Sequence, residues 1–142
     1  MALSESERAF LERTHQAAMI TVGRDGRPRV ARVGVNLVDG KLWSSGTQGR
    51  VRTRRLRQDP RCTLFVFDTG YGWLALDTIV GILDGPDAPE LNLRLFRLMQ
   101  NRPTGSLSWF AGELGPQEFL RTMAEEQRLI YEFEITRSYG MT

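Results

Sequence analysis

One cysteine, one histidine and one lysine stand in a chain of 142 residues, and each scarcity closes off a class of chemistry. Cys62, alone and inside an expected strand, excludes a disulfide within the chain and a thiolate metal cluster, and burial is its expected role. His15 removes histidine-pair metal sites and leaves a serine-histidine hydrolase dependent on a single ring. Lys41 against eighteen arginines makes Schiff-base catalysis an unpromising reading. No apolar run of about eighteen residues exists, and Glu5, Glu7 and Arg8 stand where a secretory signal would be basic and then apolar. A soluble, cytoplasmic protein without membrane partners is the expectation. Charge of one sign is also in short supply: the net charge is +2, so the protein as a whole is no polycation.

What is present is concentrated. Residues 44–61 run from a small polar turn, Ser44-Ser45-Gly46-Thr47-Gln48-Gly49, into a helix bearing Arg50, Arg52, Arg54, Arg55 and Arg57, with Arg61 beyond Asp59-Pro60. Thr47 or Ser45 is placed to cap that helix, and Asp59-Pro60 ends it. Free backbone N–H groups and the positive end of the helix dipole would then face outward, with forked donors from Arg50 and Arg52 beside them. A phosphate suits such a place. A solvated arginine face is the plain alternative, but Asp59 is the one acid in the segment, so local pairing cannot neutralise six arginines. A nucleic-acid surface fits less well, because the segment lacks interleaved aromatics.

Along the chain, Ser4-Glu5-Ser6-Glu7 reads as a capping box opening a helix over 5–14, with Phe10 and Leu11 as its core anchors. Residues 18–22 read as a strand, Asp25-Gly26 as a hairpin turn, 30–35 as a second strand, and Asp39-Gly40 as a tight turn into a third over 41–45, the three forming a meander. After the arginine helix come strands over 62–67 and 73–83, a helix over 90–100, a loop over 101–108, a helix over 116–127 and a last strand over 129–135. Six antiparallel strands and four helices favour one domain over 1–142, mainly β with flanking helices, built as a closed or partly closed barrel. No G-x-G-x-x-G fingerprint supports a dinucleotide fold.

The order Gly26-Arg27-Pro28, Asp39-Gly40, Leu42-Trp43-Ser44-Ser45-Gly46-Thr47, Gly49-Arg50-Val51-Arg52 and Leu56-x-x-Asp59-Pro60-Arg61 resembles the FMN-binding split-barrel family. That family includes pyridoxamine-phosphate oxidases and the deazaflavin-dependent oxidoreductases that use coenzyme F420. The resemblance implies a six-stranded split barrel that forms a homodimer, with a cofactor in each of two grooves built by both chains. It assigns the cofactor phosphate to Ser45, Thr47, Gly49, Arg50 and Arg52, with Arg52 where a lysine is common, so a planar fork replaces a point cation. It also lays Arg32-Val33-Gly34-Val35 along the flavin or deazaflavin ring, with Gly34 permitting close approach. Among the aromatics Tyr71, Trp73, Trp109 and Tyr139, Trp73 is the expected contributor to the interface and its groove.

Within the family the chain ends at Arg137-Ser138-Tyr139-Gly140-Met141-Thr142, without the extended C-terminal segment that the pyridoxamine-phosphate oxidases use on their substrate. The preference for arginine over lysine points to a GC-rich genome, where deazaflavin enzymes are frequent, and Arg54, Arg55 and Arg57 could meet that coenzyme's polyanionic tail. The resemblance therefore implies hydride transfer between F420 and a small organic substrate. The alternatives are an FMN-dependent reductase or oxidase, and a binding protein that holds a flavin or haem without turnover. In each, the difficult chemistry belongs to the cofactor.

Overall fold

A computed structural model describes residues 2–142. Its first element, α1 (Glu5–Arg13), begins at the expected capping box: the Glu7 N–H donates to Ser4 Oγ at 3.1 Å and the Ser4 N–H to Glu7 Oε1 at 2.9 Å. The Ser138 and Ser4 hydrogen bonds hold the Glu7 carboxyl below its ordinary range. Phe10 and Leu11 are wholly buried, each contributing about 1.5–3 kcal/mol.

The strands β1 (Gln16–Val22), β2 (Pro28–Gly34), β3 (Asn36–Val38), β4 (Lys41–Thr47), β5 (Arg61–Phe67), β6 (Trp73–Leu83) and β9 (Arg128–Met141) form one antiparallel sheet among the described residues, in the order β2-β1-β5-β6-β9-β4-β3. The sheet curls into a split barrel whose inner face carries Met19, Leu42, Leu64, Leu76, Tyr131 and Phe133, all essentially buried. The Asp25-Gly26 turn sets the β1–β2 register, with Gly26 at φ +78°, where a side chain is disfavoured. The helix α2 (Val51–Gln58) lies at the Thr21 end of β1, with Leu56 in the barrel core, while Phe10 of α1 reaches the other end, beside Gly72. A second layer of α3 (Ala88–Gln100), the short hairpin β7 (Leu107–Trp109) and β8 (Gly112–Leu114), and α4 (Pro116–Glu125) covers one outer flank of the barrel through Leu95, with Phe119 and Met123 packed inside the layer itself. No helix among the described residues is long and apolar enough to cross a membrane.

Several expectations need correction. The second strand, expected over 30–35, is β2 (Pro28–Gly34), and it does not lead by a hairpin into the third. It breaks at Val35, and β2 and β3 sit on opposite edges of the sheet, so the three strands are not a meander and the sheet has seven strands rather than six. The break is braced twice by His15: its carbonyl accepts the Val35 N–H at 2.8 Å, and its Nδ1 lies 3.1 Å from the Val35 carbonyl. The segment expected as a loop over 101–108 carries β7, whose two-residue turn to β8 holds Phe110 at φ +52°. The last strand runs to Met141 because β9 continues past a register shift opposite Asp77 and Thr78. Neither Thr47 nor Ser45 caps α2, whose N-cap is Arg50 without a side-chain bond. Both residues belong to β4 and are held in its ladder with β9.

Cys62 is buried on β5, and desolvation pushes its thiol up to about 12. Since the thiolate is the nucleophile, the native protein at pH 8 should react with iodoacetamide at least roughly a hundred-fold more slowly than the unfolded chain. Equal rates would show that the thiol is reachable in the folded state.

Candidate functional site

The barrel is split where the edge strand β2 faces the start of α2. Between them lies a groove of about 350 Å³, with Met19 and Thr21 of β1 and Arg29, Val30 and Ala31 of β2 on one side and Arg50, Val51, Arg52 and Arg55 on the other. The β1–β2 register places Arg29 opposite Thr21 and Ala31 opposite Met19, so these residues share the face that lines the groove. Arg55, one turn beyond Arg52, donates from Nη1 to Thr21 Oγ1 at 2.9 Å and ties the helix to the strand. A second groove of about 650 Å³ shares Arg29, Val51 and Arg55 and continues between the Gly23–Asp25 turn and Arg54, Gln58 and Asp59.

The helix itself favours an anion at its start. α1, α3 and α4 each place a carboxylate in the first turn, whereas α2 has none, and its N-cap side chain makes no capping bond. The positive end of the α2 dipole is therefore not compensated by its own sequence.

The arginines of 50–61 divide by partner. Arg61 pairs with Asp59 at 2.9 Å and Arg57 with Asp84 at 2.8 Å, so one of the charges expected to seek an outside anion is answered from the end of β6. Asp59 is partly exposed, and its hydrogen bonds from Arg61 lower its carboxyl to about 2. Arg54 donates to the Gly49 carbonyl at 2.9 Å. Among the described residues Arg50, Arg52, Arg54 and Arg55 meet no carboxylate at ion-pair distance.

Arg52 is the most constrained of these. Its Nε is buried without a hydrogen-bond partner among the described residues. Burial pulls its guanidinium below the ordinary arginine range, the Tyr131 hydroxyl opposes that fall, and the charges of Arg50 and Arg128 add to it. A half-buried cation with like charges beside it and no carboxylate is what a bound anion relieves.

The residues anticipated from the sequence fall into separate groups. Arg50 and Arg52 meet at the groove, with Gly49 in the turn just before them. Ser45 and Thr47 are half-buried on β4, on the flank toward α3. Ser45 Oγ donates to Asn92 Oδ1, and the Thr47 carbonyl accepts from Thr53 Oγ1 at 2.7 Å. Val33 and Val35 are buried in the core, and the Met99 methyl lies where a side chain on Gly34 would go, 2.7 Å from that Cβ position. Trp73 lies opposite Phe67, at the other end of β5 from Arg61, with its ring 5.6 Å from Phe65. Within one chain, Trp73 and the arginine groove are thus at opposite ends of the strands.

Arg29, Thr21, Thr53 and Tyr131 were not anticipated, and Arg55, expected to meet an anionic tail, is also the tie between α2 and β1. The hairpin turn at Asp25-Gly26 was the available signal for Arg29, because a two-strand register counted from it sets Arg29 beside Thr21.

Comparison with known proteins agrees with this architecture. Over 96% of this chain and 98% of its own, an F420 reductase superposes with a TM-score of 0.73 at 20% identity. A conserved hypothetical protein of Mycobacterium tuberculosis does so over 99% and 86%, with TM-score 0.73 and 18% identity. An FAD-binding protein of Mesorhizobium loti follows over 97% and 94%, with TM-score 0.61 and 17% identity. At these identities the likeness is one of fold. No curated protein is significantly similar in sequence. The family model described as pyridoxamine 5'-phosphate oxidase matches residues 3–102, well over half of the chain, and the chain therefore belongs to the pyridoxamine 5'-phosphate oxidase family.

Proposed function

We propose that the protein is an oxidoreductase that binds a phosphate-bearing flavin-type cofactor in the groove between β2 and α2 and works as a homodimer. The cofactor is coenzyme F420, with FMN as the alternative, and the substrate is a small organic molecule. The observation that carries this reading is Arg52: a guanidinium on the groove wall, buried at Nε, without a carboxylate and beside an uncompensated helix start. Arg50 and Arg52 would hold the phosphate, and the wider groove past Arg54 and Arg55 would accommodate an anionic extension of the cofactor. The edge strand β2 has a backbone free on one side, which can offer N–H and C=O groups to the polar rim of a ring near Val33 and Gly34, while the backbone of Val35 beyond them is held by His15.

The cofactor, when bound, supplies hydride transfer; the chain's part is to hold it, exclude water and orient the substrate. That division suits a site whose lining is arginine, threonine and apolar side chains. The F420 reductase among the structural relatives supports the deazaflavin branch, and the FAD-binding relative supports the broader flavin class.

The dimer rests on the other face of the sheet. Val30, Phe67, Ile79 and Tyr139 are 40–67% exposed on the outside of β2, β5, β6 and β9, and Ile20, Phe65 and Trp73 lie among them. An apolar sheet face of this extent marks an association surface, and Trp73 falls within it.

Fluorescence titration with F420 and, in parallel, with FMN at moderate salt tests the reading. Selective binding of F420 is the expected result. Selective FMN binding moves the protein to the flavin branch, and binding of neither removes the cofactor assignment.

A further inference from the structure

Tyr131 is the bulkiest of the fully buried side chains, and its phenol needs a partner inside a barrel of hydrocarbon. It reaches the start of α2, where its hydroxyl meets Thr53 Oγ1, and Thr53 is itself wholly buried. The direction of the bonds follows from proton counting. Thr53 has one hydroxyl proton, and it goes to the Thr47 carbonyl at 2.7 Å, which can only accept. The proton between Thr53 and Tyr131 therefore comes from Tyr131. With its single proton committed, the phenol oxygen is left as an acceptor. Arg52 directly precedes Thr53 in α2, lines the groove and has a buried Nε without a partner among the described residues, and the Tyr131 hydroxyl favours its charge. Gly46 makes room for this: a Cβ there would overlap the Tyr131 ring and hydroxyl.

We propose that Tyr131 is a positioning residue for the anion site, its hydroxyl oriented by Thr53 and the Thr47 carbonyl so that it presents an acceptor to Arg52 and fixes that guanidinium against the groove. This rests on the phosphate-binding reading of Arg52 and deepens it. A chain of hydrogen bonds donated from β9 through α2 to β4 makes the pose of one arginine depend on the closure of the barrel. It also accounts for a glycine diagonal to a tyrosine across the β4–β9 pair, Tyr131 facing Ser44 and Gly46 facing Leu129, which a purely apolar core would not require.

The test is a set of titrations with F420 and FMN on Tyr131→Phe, Arg52→Ala and the double variant, with thermal melts alongside. Tyr131→Phe should weaken binding about 3- to 30-fold and leave the double variant no weaker than Arg52→Ala alone, because the hydroxyl acts only through the arginine. Losses that add in the double variant overturn the proposal, since they mean that Tyr131 acts independently of Arg52. If Tyr131→Phe does not fold, Thr53→Ser and Thr53→Val carry the test. Serine keeps the relay and should bind like the parent, while valine should lose affinity, and equal affinities overturn the relay. Arg52→Ala binding as tightly as the parent overturns the phosphate reading itself. Weakened Arg52→Ala with unaffected Tyr131→Phe overturns only the role of Tyr131.

Discussion

Arg52→Ala weakens cofactor binding roughly 10- to 100-fold, the range that follows from losing about 1.5–3 kcal/mol of hydrogen bonding to a charged group. The expectation is large because, on the proposed reading, Arg52 has a charge that no carboxylate among the described residues answers. Its Nε is out of water without a partner, and Arg50 and Arg128 repel it. In the parent, binding an anion relieves this repulsion; in the alanine variant there is nothing to relieve, and the dipole of α2 and Arg50 remain as the residual attraction. The same substitution should leave thermal stability in the absence of ligand unchanged or slightly raised, since a half-buried cation disappears. Titration and a thermal melt together decide the matter. Unchanged affinity takes Arg52 out of the site, and a large fall in melting temperature would show that the side chain serves the fold instead.

Phe65→Asp should convert a dimer into monomers. On the outer face, Arg32, Ala18, Phe65, Ala75 and Tyr139 stand in one row across β2, β1, β5, β6 and β9, and Phe65 is in its centre. Its ring packs 5.6 Å from both Phe67 and Trp73. A carboxylate at that centre would be buried without a counter-charge on association, which costs several kcal/mol per chain, whereas in the isolated monomer it would remain in water. Sedimentation of the parent should give twice the 16.2 kDa of the chain, and the variant should give that mass once, with its circular dichroism unchanged. If each groove is built by both chains, the variant also loses cofactor affinity. A parent that sediments at 16.2 kDa ends the dimer reading.

Much of the fold is legible locally. The capping box of α1, the Asp25-Gly26 hairpin and the apolar run of β5 each declare themselves within a few residues. The split at Val35 does not. Val33, Val35 and Leu37 all pack against the barrel core, so the alternation passes through the break without losing phase, and the change of sheet edge is set by tertiary contacts with His15. β9 conceals its length for the opposite reason. Opposite Asp77 and Thr78 its partners jump from Arg137 to Ile135, the inward phase changes, and the pattern of Tyr131, Phe133 and Ile135 ends though the strand goes on. The β7–β8 turn, Phe110-Ala111, lacks the asparagine or glycine that marks such turns.

The site divides in the same way. Gly49, Arg50 and Arg52 lie in one short segment whose composition speaks for itself. Arg29 and Thr21 come from a hairpin more than twenty residues earlier, and Tyr131 from a strand almost eighty residues later. Only the curl of the sheet brings them to the same helix. Asp84 reaches Arg57 from 27 residues further along the chain, a pairing that no reading confined to the arginine segment contains.

The single-residue link at Val35 bears on how the protein comes to be folded. Two local hairpins, β1–β2 and β3–β4, hang from that link, and each is formed by neighbours in the chain. The groove exists in neither. Its strand wall belongs to the first hairpin, while the anchor of its helix wall is the Thr47 carbonyl of the second and the Tyr131 hydroxyl of the final strand. A chain still emerging from the ribosome has both hairpins before it has β9, and so cannot present a formed binding site. On the proposed reading, holding a ligand is therefore a property only of the finished barrel, and the appearance of binding capacity would time the last closure of the sheet rather than the formation of its parts.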